Sequence, residues 1–172
     1  MSPAERRERL ESLENLIRNF TTRDKGKDPR VLAAIEEINR LRFHMEPRKS
    51  VAAIRRAAEV REFLSYSDVA NESGLSWQEA RHRIAAHLDL LCQWAHGKGW
   101  PLITSIVVEK PNLRSGKLED YALAGFITAA ERLKCDVGTD HRAFLKREQD
   151  RTFIWASEHR GLDLFAEEGV GS

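Results

Sequence analysis

The chain has 172 residues, 41% of them hydrophobic and 32% charged. That is enough apolar material for one core of ordinary domain size, and it excludes a disordered or collagen-like chain. No apolar run approaches the roughly 18 residues a membrane span needs, so a water-soluble chain is expected. Lys and Arg number 28 against 27 Asp and Glu, a balance that by itself argues against a nonspecific coater of nucleic acid.

The neutrality is uneven along the chain. Residues 1–64 carry an excess of four positive charges, residues 65–110 lack one and residues 111–172 lack two. Arg48, Lys49, Arg55, Arg56 and Arg61 form the densest basic stretch. Two cysteines, Cys92 and Cys135, are too few for a disulfide framework. The N-terminus has no apolar h-region and holds Glu5, Glu8, Glu11 and Glu14, so neither a secretory signal nor a transit peptide is expected. The expected setting is a reducing cytoplasm.

Ser2-Pro3-Ala4-Glu5 reads as a capping box with proline at the first helical position. Leu10, Leu13, Ile17 and Phe20 then form one apolar stripe on a helix running to about residue 20. Residues 21–27 are read as a polar loop, and Asp28-Pro29 starts a second helix with the stripe Val31, Ile35, Ile38, Leu41 and Met45. The pair makes a helical hairpin over residues 1–47, its first stripe serving either internal packing or a dimer seam. Ser50 is read as the cap of a third, alanine-rich helix extending to Leu64.

Ser65-Tyr66-Ser67-Asp68 and Ser76-Trp77-Gln78-Glu79 are further capping boxes. They open a short helix ending at Gly74 and a long one over residues 77–96. Leu102-Ile103-Thr104-Ser105-Ile106-Val107-Val108 is the clearest strand pattern. Residues 109–119, with Pro111, Asn112 and Gly116, are read as a loop, followed by a helix over 120–134. Asp140 caps a shorter helix, and residues 151–155 are assigned as a second strand because Phe153 and Trp155 alternate with polar or smaller neighbours. The last fifteen residues are acidic and expected to fray. The fold expected is mainly α: an N-terminal helical hairpin on a winged-helix-like domain over 48–157, with a small two-stranded sheet.

Residues 66–80 have the pattern of a helix–turn–helix. Ala70 and Ala80 permit close crossing, Gly74 suits a left-handed turn, Leu75 anchors the turn and Ser76 caps the second helix. Arg83 stands where an apolar residue is expected, and Ile84 follows one step late. An exposed helix can enter the major groove, where Arg pairs with guanine and Gln with adenine. Gln78, Arg81 and Arg83 are therefore candidate base contacts. Arg55 and Arg56, with Lys110, Arg114 and Lys117 in a wing at residues 109–119, are candidate phosphate contacts.

The segment Ser65-Tyr66-Ser67-Asp68-Val69-Ala70, followed by Trp100-Pro101-Leu102-Ile103-Thr104-Ser105-Ile106-Val107-Val108, resembles the winged-helix domain of alkyltransferase-like DNA-binding proteins. It is closer still to a group of uncharacterised bacterial proteins. The resemblance covers about residues 63–156 and implies a DNA-binding shape. No Pro-Cys-His-Arg nucleophile segment is present, so it does not extend to alkyl transfer.

Other chemistry is weaker. His87, Cys92 and His96 share a helix, with Cys92 and His96 at metal-ligand spacing, but no further paired ligands follow. Glu109 and Lys110 are adjacent instead of separated by one residue, as a nuclease carboxylate–lysine pair requires. Asp136, Asp140 and His141 could form an acid–base cluster, although Asp140 already serves as a helix cap. No catalytic residue, cofactor or metal is nominated. The four tryptophans are assigned to the core, with Trp77 alternatively exposed for stacking on bases. The function expected is non-enzymatic duplex-DNA binding, as by a transcriptional regulator or mobile-element protein. The alternative is a protein-interaction module of the inhibitor or antitoxin kind, and a third reading is an unrecognised nucleic-acid enzyme. A protein partner or homodimer through the hairpin is compatible with the first two.

Overall fold

A computed structural model describes residues 1–21 and 27–166. Most of the loop expected at 21–27 and the last acidic residues, 167–172, lie outside the described residues. The protein is mainly helical with one small two-stranded sheet, and no helix among the described residues is long and apolar enough to cross a membrane.

Local capping signals set most helix starts. Helix α1 (Pro3–Thr21) opens on the Ser2 box, in which the Glu5 N–H donates to Ser2 Oγ at 3.2 Å and the Ser2 N–H to Glu5 Oε2 at 2.6 Å. The Asp28 side chain caps α2 (Pro29–Ile38) through the Arg30 N–H at 2.9 Å. A π turn over Asn39–Phe43 continues α2 and ends at His44 in the left-handed region. Leu13 and Ile17 are buried against α2, so the first stripe serves internal packing. The ion pairs Arg9–Glu37 and Arg42–Glu14 close the hairpin's edges at 2.7 and 2.5 Å.

Helix α3 (Pro47–Glu59) begins at Pro47, three residues before the expected cap. Proline fits there because a first-turn N–H has no intrahelical acceptor to lose. Ser50 is instead fully buried inside the helix, bonded to His87. The chain then forms β1 (Leu64–Ser65), α4 (Tyr66–Glu72), α5 (Trp77–Ala80) and α6 (Ile84–Gly97). The expected single helix over 77–96 is thus two helices. Arg83 leaves helical geometry at φ −121°, and its N–H bonds to Ala80 O at 2.8 Å, an i−3 link. Helix α5 packs on α4 while α6 packs on α2 and α3, so the two segments answer to different neighbours.

The strand pattern at 102–108 is realised only at its end. Residues Ile103–Ile106 form a 3-10 turn, and only β2 (Val107–Val108) extends. Every residue from Leu102 to Val108 is buried, so the apolar run reflects burial on all sides. β2 pairs in parallel with β1, Leu64 opposite Val107 and Ser65 opposite Val108. The second strand expected at 151–155 is helix: α8 (His141–Glu158) runs through it, and the loop after β2 leads to α7 (Asp120–Arg132) instead of a return strand. Phe144, Leu145, Glu148, Gln149, Thr152, Phe153, Trp155 and Ala156 are buried at helical spacing along α8. The Thr152 hydroxyl donates to Glu148 O at 2.8 Å.

One buried cluster joins the hairpin, α3, α4, α6 and α8, with Ile35, Ile54 and Leu91 fully buried. Each such side chain contributes about 1.5–3 kcal/mol. A second cluster gathers Cys92, Leu102, Val108, Leu118, Ile127, Phe144 and Leu145 around α7. Residues 158–166, expected to fray, fold back. Leu164 is buried, and Phe165 stacks on Trp94 with ring centroids 5.5 Å apart.

Helix α7 ends with Lys134 at φ +63°. Its N–H bonds to Glu131 O, and that of Cys135 to Ala130 O, a left-handed helix stop. Lys134→Gly removes the Cβ penalty there, and we expect a net gain of about 0.5–1 kcal/mol after the entropy glycine adds to the unfolded chain. Urea denaturation of Lys134→Gly beside Lys134→Ala checks this, since alanine keeps the Cβ and should give no gain.

Candidate nucleic-acid interface

The α4–turn–α5 corner is built by its backbone bonds. Ser65 and Asp68 form a reciprocal box at 2.8 and 3.1 Å, and Ser76 and Glu79 another at 2.7 and 3.3 Å. Between them Gly74 takes φ +74°. Its N–H bonds to Asn71 O at 2.9 Å and that of Leu75 to Ala70 O at 3.1 Å, the paired bonds of a Schellman stop. Val69, Ala70 and Ala80 are fully buried at the crossing.

This corner leaves Gln78, Arg81 and His82 exposed and Arg83 half-buried. Glu79, a potential repeller of phosphate, is occupied by the cap. The Ser76 backbone and hydroxyl, with Arg83 nearby, hold its carboxyl below the usual range. The β1–β2 pair brings the start of α4 beside the start of the 109–119 loop. Tyr66 there feels the Glu109 charge, and its hydroxyl is pushed up by burial and then by that charge. The Tyr66 ring lies 6.4 Å from that of Trp77, which links the loop to α5.

The loop is tightly fastened. Gly116 sits at φ +69° against the Phe63 ring. Its carbonyl accepts from Gln149 Nε2 at 2.8 Å, and the same amide reaches Ser105 O at 3.0 Å. Asn112 Nδ2 donates to Glu119 Oε1 at 3.0 Å. Lys110, Arg114 and Lys117 project from this frame, all exposed. Among the described residues, none of these three, nor Arg81, forms a salt bridge or a side-chain hydrogen bond.

The basic stretch before the corner behaves otherwise. Arg55, expected at phosphate, turns inward: its guanidinium donates to Leu162 O at 2.5 Å and His159 O at 3.3 Å, and it lies 3.8 Å from Glu59. Arg56, also expected at phosphate, pairs with Glu72 at 2.7 Å and so ties α3 to α4. Arg48 pairs with Glu36 and covers the Phe165 ring, and Arg61 covers Phe153. The densest basic stretch of the sequence is therefore largely a clasp for the C-terminal turn and α8.

The catalytic and metal candidates have structural partners. Cys92 is buried, its Sγ 2.7 Å from Thr104 Oγ1, and burial pushes its thiol up to about 12, which leaves it inert at neutral pH. Cys135, not Cys92, faces His96, with Sγ 3.9 Å from Nδ1, and burial raises its thiol too. No group of three or more potential ligands gathers among the described residues. Asp140 caps α8 through the Ala143 N–H at 3.0 Å, and Asp136 accepts the Gly138 N–H at 3.1 Å. Sequence reasoning missed the Phe63–Gly116–Gln149 anchor, for which Gly116 within a polar loop was the one visible signal.

No protein-family model, curated protein or solved structure matches this chain. The class defined by fold and surface is a mainly helical protein with a helix–turn–helix-shaped corner beside a cation-bearing loop.

Proposed function

We propose that this is a non-enzymatic DNA-binding protein that holds duplex DNA against the α4–α5 corner and the 109–119 loop. One observation carries the reading: Arg81, Lys110, Arg114 and Lys117 stand exposed without carboxylate partners. Most arginines of the first sixty residues, by contrast, are paired internally. Unpaired exposed cations suit a polyanion, because nothing internal must be broken to engage it. Gln78 and Arg81 serve base edges, with Arg83 behind them, and the three loop cations serve phosphates. Regulation of transcription or of a mobile element is the biological setting in which such a protein would act.

Three phosphate-reaching loop cations predict a slope of about −2.7 for log affinity against log salt, at about −0.9 per contact. Binding to mixed-sequence duplex over a salt series checks this. Lys110→Ala and Lys117→Ala should each flatten the slope by about one, and Arg81→Ala/Arg83→Ala should cost about 1–3 kcal/mol and relax base preference. Absence of binding at low salt overturns the proposal.

A second reading, a protein-interaction module, is favoured by the outer face of α7. Tyr121 is 94% exposed there beside exposed Ala124, Gly125 and Thr128. Copurification of a partner that Tyr121→Ser abolishes, with DNA binding absent, would establish it.

A further inference from the structure

Trp77 is 43% exposed at the first position of α5. Large aromatic side chains dominate burial, and an indole left open on an ordered corner offers a flat apolar face to a ligand. The Tyr66 ring supports it at 6.4 Å with a 31° tilt, and Tyr66 is itself half-buried. Gln78 shares its short helix, Arg81 directly follows it, and Lys110 follows the residue whose charge reaches Tyr66. An open apolar ring four residues from an exposed, carboxylate-free arginine, Arg81, fits a ligand that joins flat apolar faces to a chain of negative charge.

Helix α5 restricts the ligand further. Four residues span about 6 Å, and the chain changes direction over residues 81–83. A major groove is about 12 Å wide, so this turn can touch a duplex at one or two base edges and cannot lie along its groove. Bases already out of a stack are accessible to such a short projection.

We infer that Trp77, backed by Tyr66, is a stacking platform for an unpaired nucleobase, so that the preferred ligand is DNA carrying unpaired nucleotides beside a duplex. This rests on the DNA-binding reading and specifies the ligand of the same surface. The duplex is held by Lys110, Arg114 and Lys117, and the first unpaired base lies on the indole. Stacking is tolerant of sequence because every base has a π face.

The test compares a blunt duplex with the same duplex carrying a short single-stranded overhang, using fluorescence anisotropy at fixed salt. The wild-type chain should bind the overhang form roughly tenfold more tightly, the gain expected for one stacked base. Trp77→Ala should lose that preference and keep blunt-duplex affinity within about twofold, while Trp77→Phe should keep part of it. Intrinsic tryptophan fluorescence should be quenched by the overhang in the wild type and much less in Trp77→Phe. Thermal melting of each variant confirms that the fold is retained, and Trp77→Phe, which preserves an aromatic ring on Tyr66, remains decisive even if alanine unfolds the corner. Equal wild-type affinity for the two DNAs overturns the stacking inference and leaves the duplex reading standing. Binding of neither DNA at low salt overturns both.

Discussion

The Gly116→Ala variant is expected to lose about 2–5 kcal/mol of stability. Two costs add. Gly116 holds φ +69°, where an L side chain costs roughly 1–2 kcal/mol. A Cβ built there would also lie 2.2 Å from Phe63 Cζ, and overpacking of this kind costs about 1–3 kcal/mol. Phe63 cannot retreat freely, because its ring also meets Phe153 edge-on at 5.6 Å. For a chain of this size the loss lowers Tm by about 4–20 °C. Adding Phe63→Leu should recover part of the deficit, since the clash is shared by the two residues, and a double-mutant cycle reads that coupling. Strict additivity would show that the strain lies in the backbone alone. The same substitution shifts the frame that carries Lys110, Arg114 and Lys117, so DNA affinity should fall at temperatures where the variant is still folded.

The features legible in the sequence are those whose cause lies within four residues. The boxes at Ser2, Ser65 and Ser76, the caps at Asp28 and Asp140 and the turn at Gly74 each satisfy backbone groups with side chains from the same turn. They formed as read. What was not legible depends on distant partners. β-branched residues at 103–106 became a 3-10 turn because α6 and α8 bury them on both sides, and a short apolar run does not distinguish that from a strand. In residues 151–155 the alternation of Phe153 and Trp155 spans too few positions to reveal the helical period that starts at Phe144.

Charge shows the same limit more sharply. Arg55 reaches carbonyls 104 and 107 residues away, and Arg56 a carboxylate 16 residues away. Counting basic residues along the chain therefore singled out α3, whereas Arg81, Lys110, Arg114 and Lys117, which pair with no carboxylate among the described residues, lie in the loop and the α5–α6 turn. The near-equal totals of 28 and 27 conceal this sorting, because internal pairing removes cations and carboxylates together.

Acid is expected to weaken the fold through His87, which is fully buried between α2, α3 and α6. Asn39 Nδ2 donates to Ile35 O at 2.7 Å, which turns its Oδ1 toward the His87 ring. His87 Nδ1 must then carry the proton and donate to Asn39, leaving Nε2 to accept from the Ser50 hydroxyl at 2.8 Å. A second proton on the ring would oppose the Ser50 hydrogen bond, and burial alone already holds the imidazole down at about 4, against an ordinary value of 6.5. The unfolded chain thus binds a proton below about pH 6.5 that the folded chain refuses until about pH 4. Stability contributed by the neutral ring is complete above pH 6.5 and falls by up to about 1.4 kcal/mol per pH unit through that window, on the order of 3 kcal/mol in all. His87→Gln keeps one donor and one acceptor at this position but does not titrate. Urea unfolding of both proteins from pH 7.5 to 4.5 should show the gap between them shrinking, or reversing, as the pH falls. A constant gap would mean that position 87 titrates alike in both states. His87→Ala, which leaves Asn39 Oδ1 and the Ser50 hydroxyl unpaired beside a cavity, should cost about 3–5 kcal/mol at pH 7.5. That penalty should also shrink in acid, because the wild-type chain alone loses stability to protonation at this site.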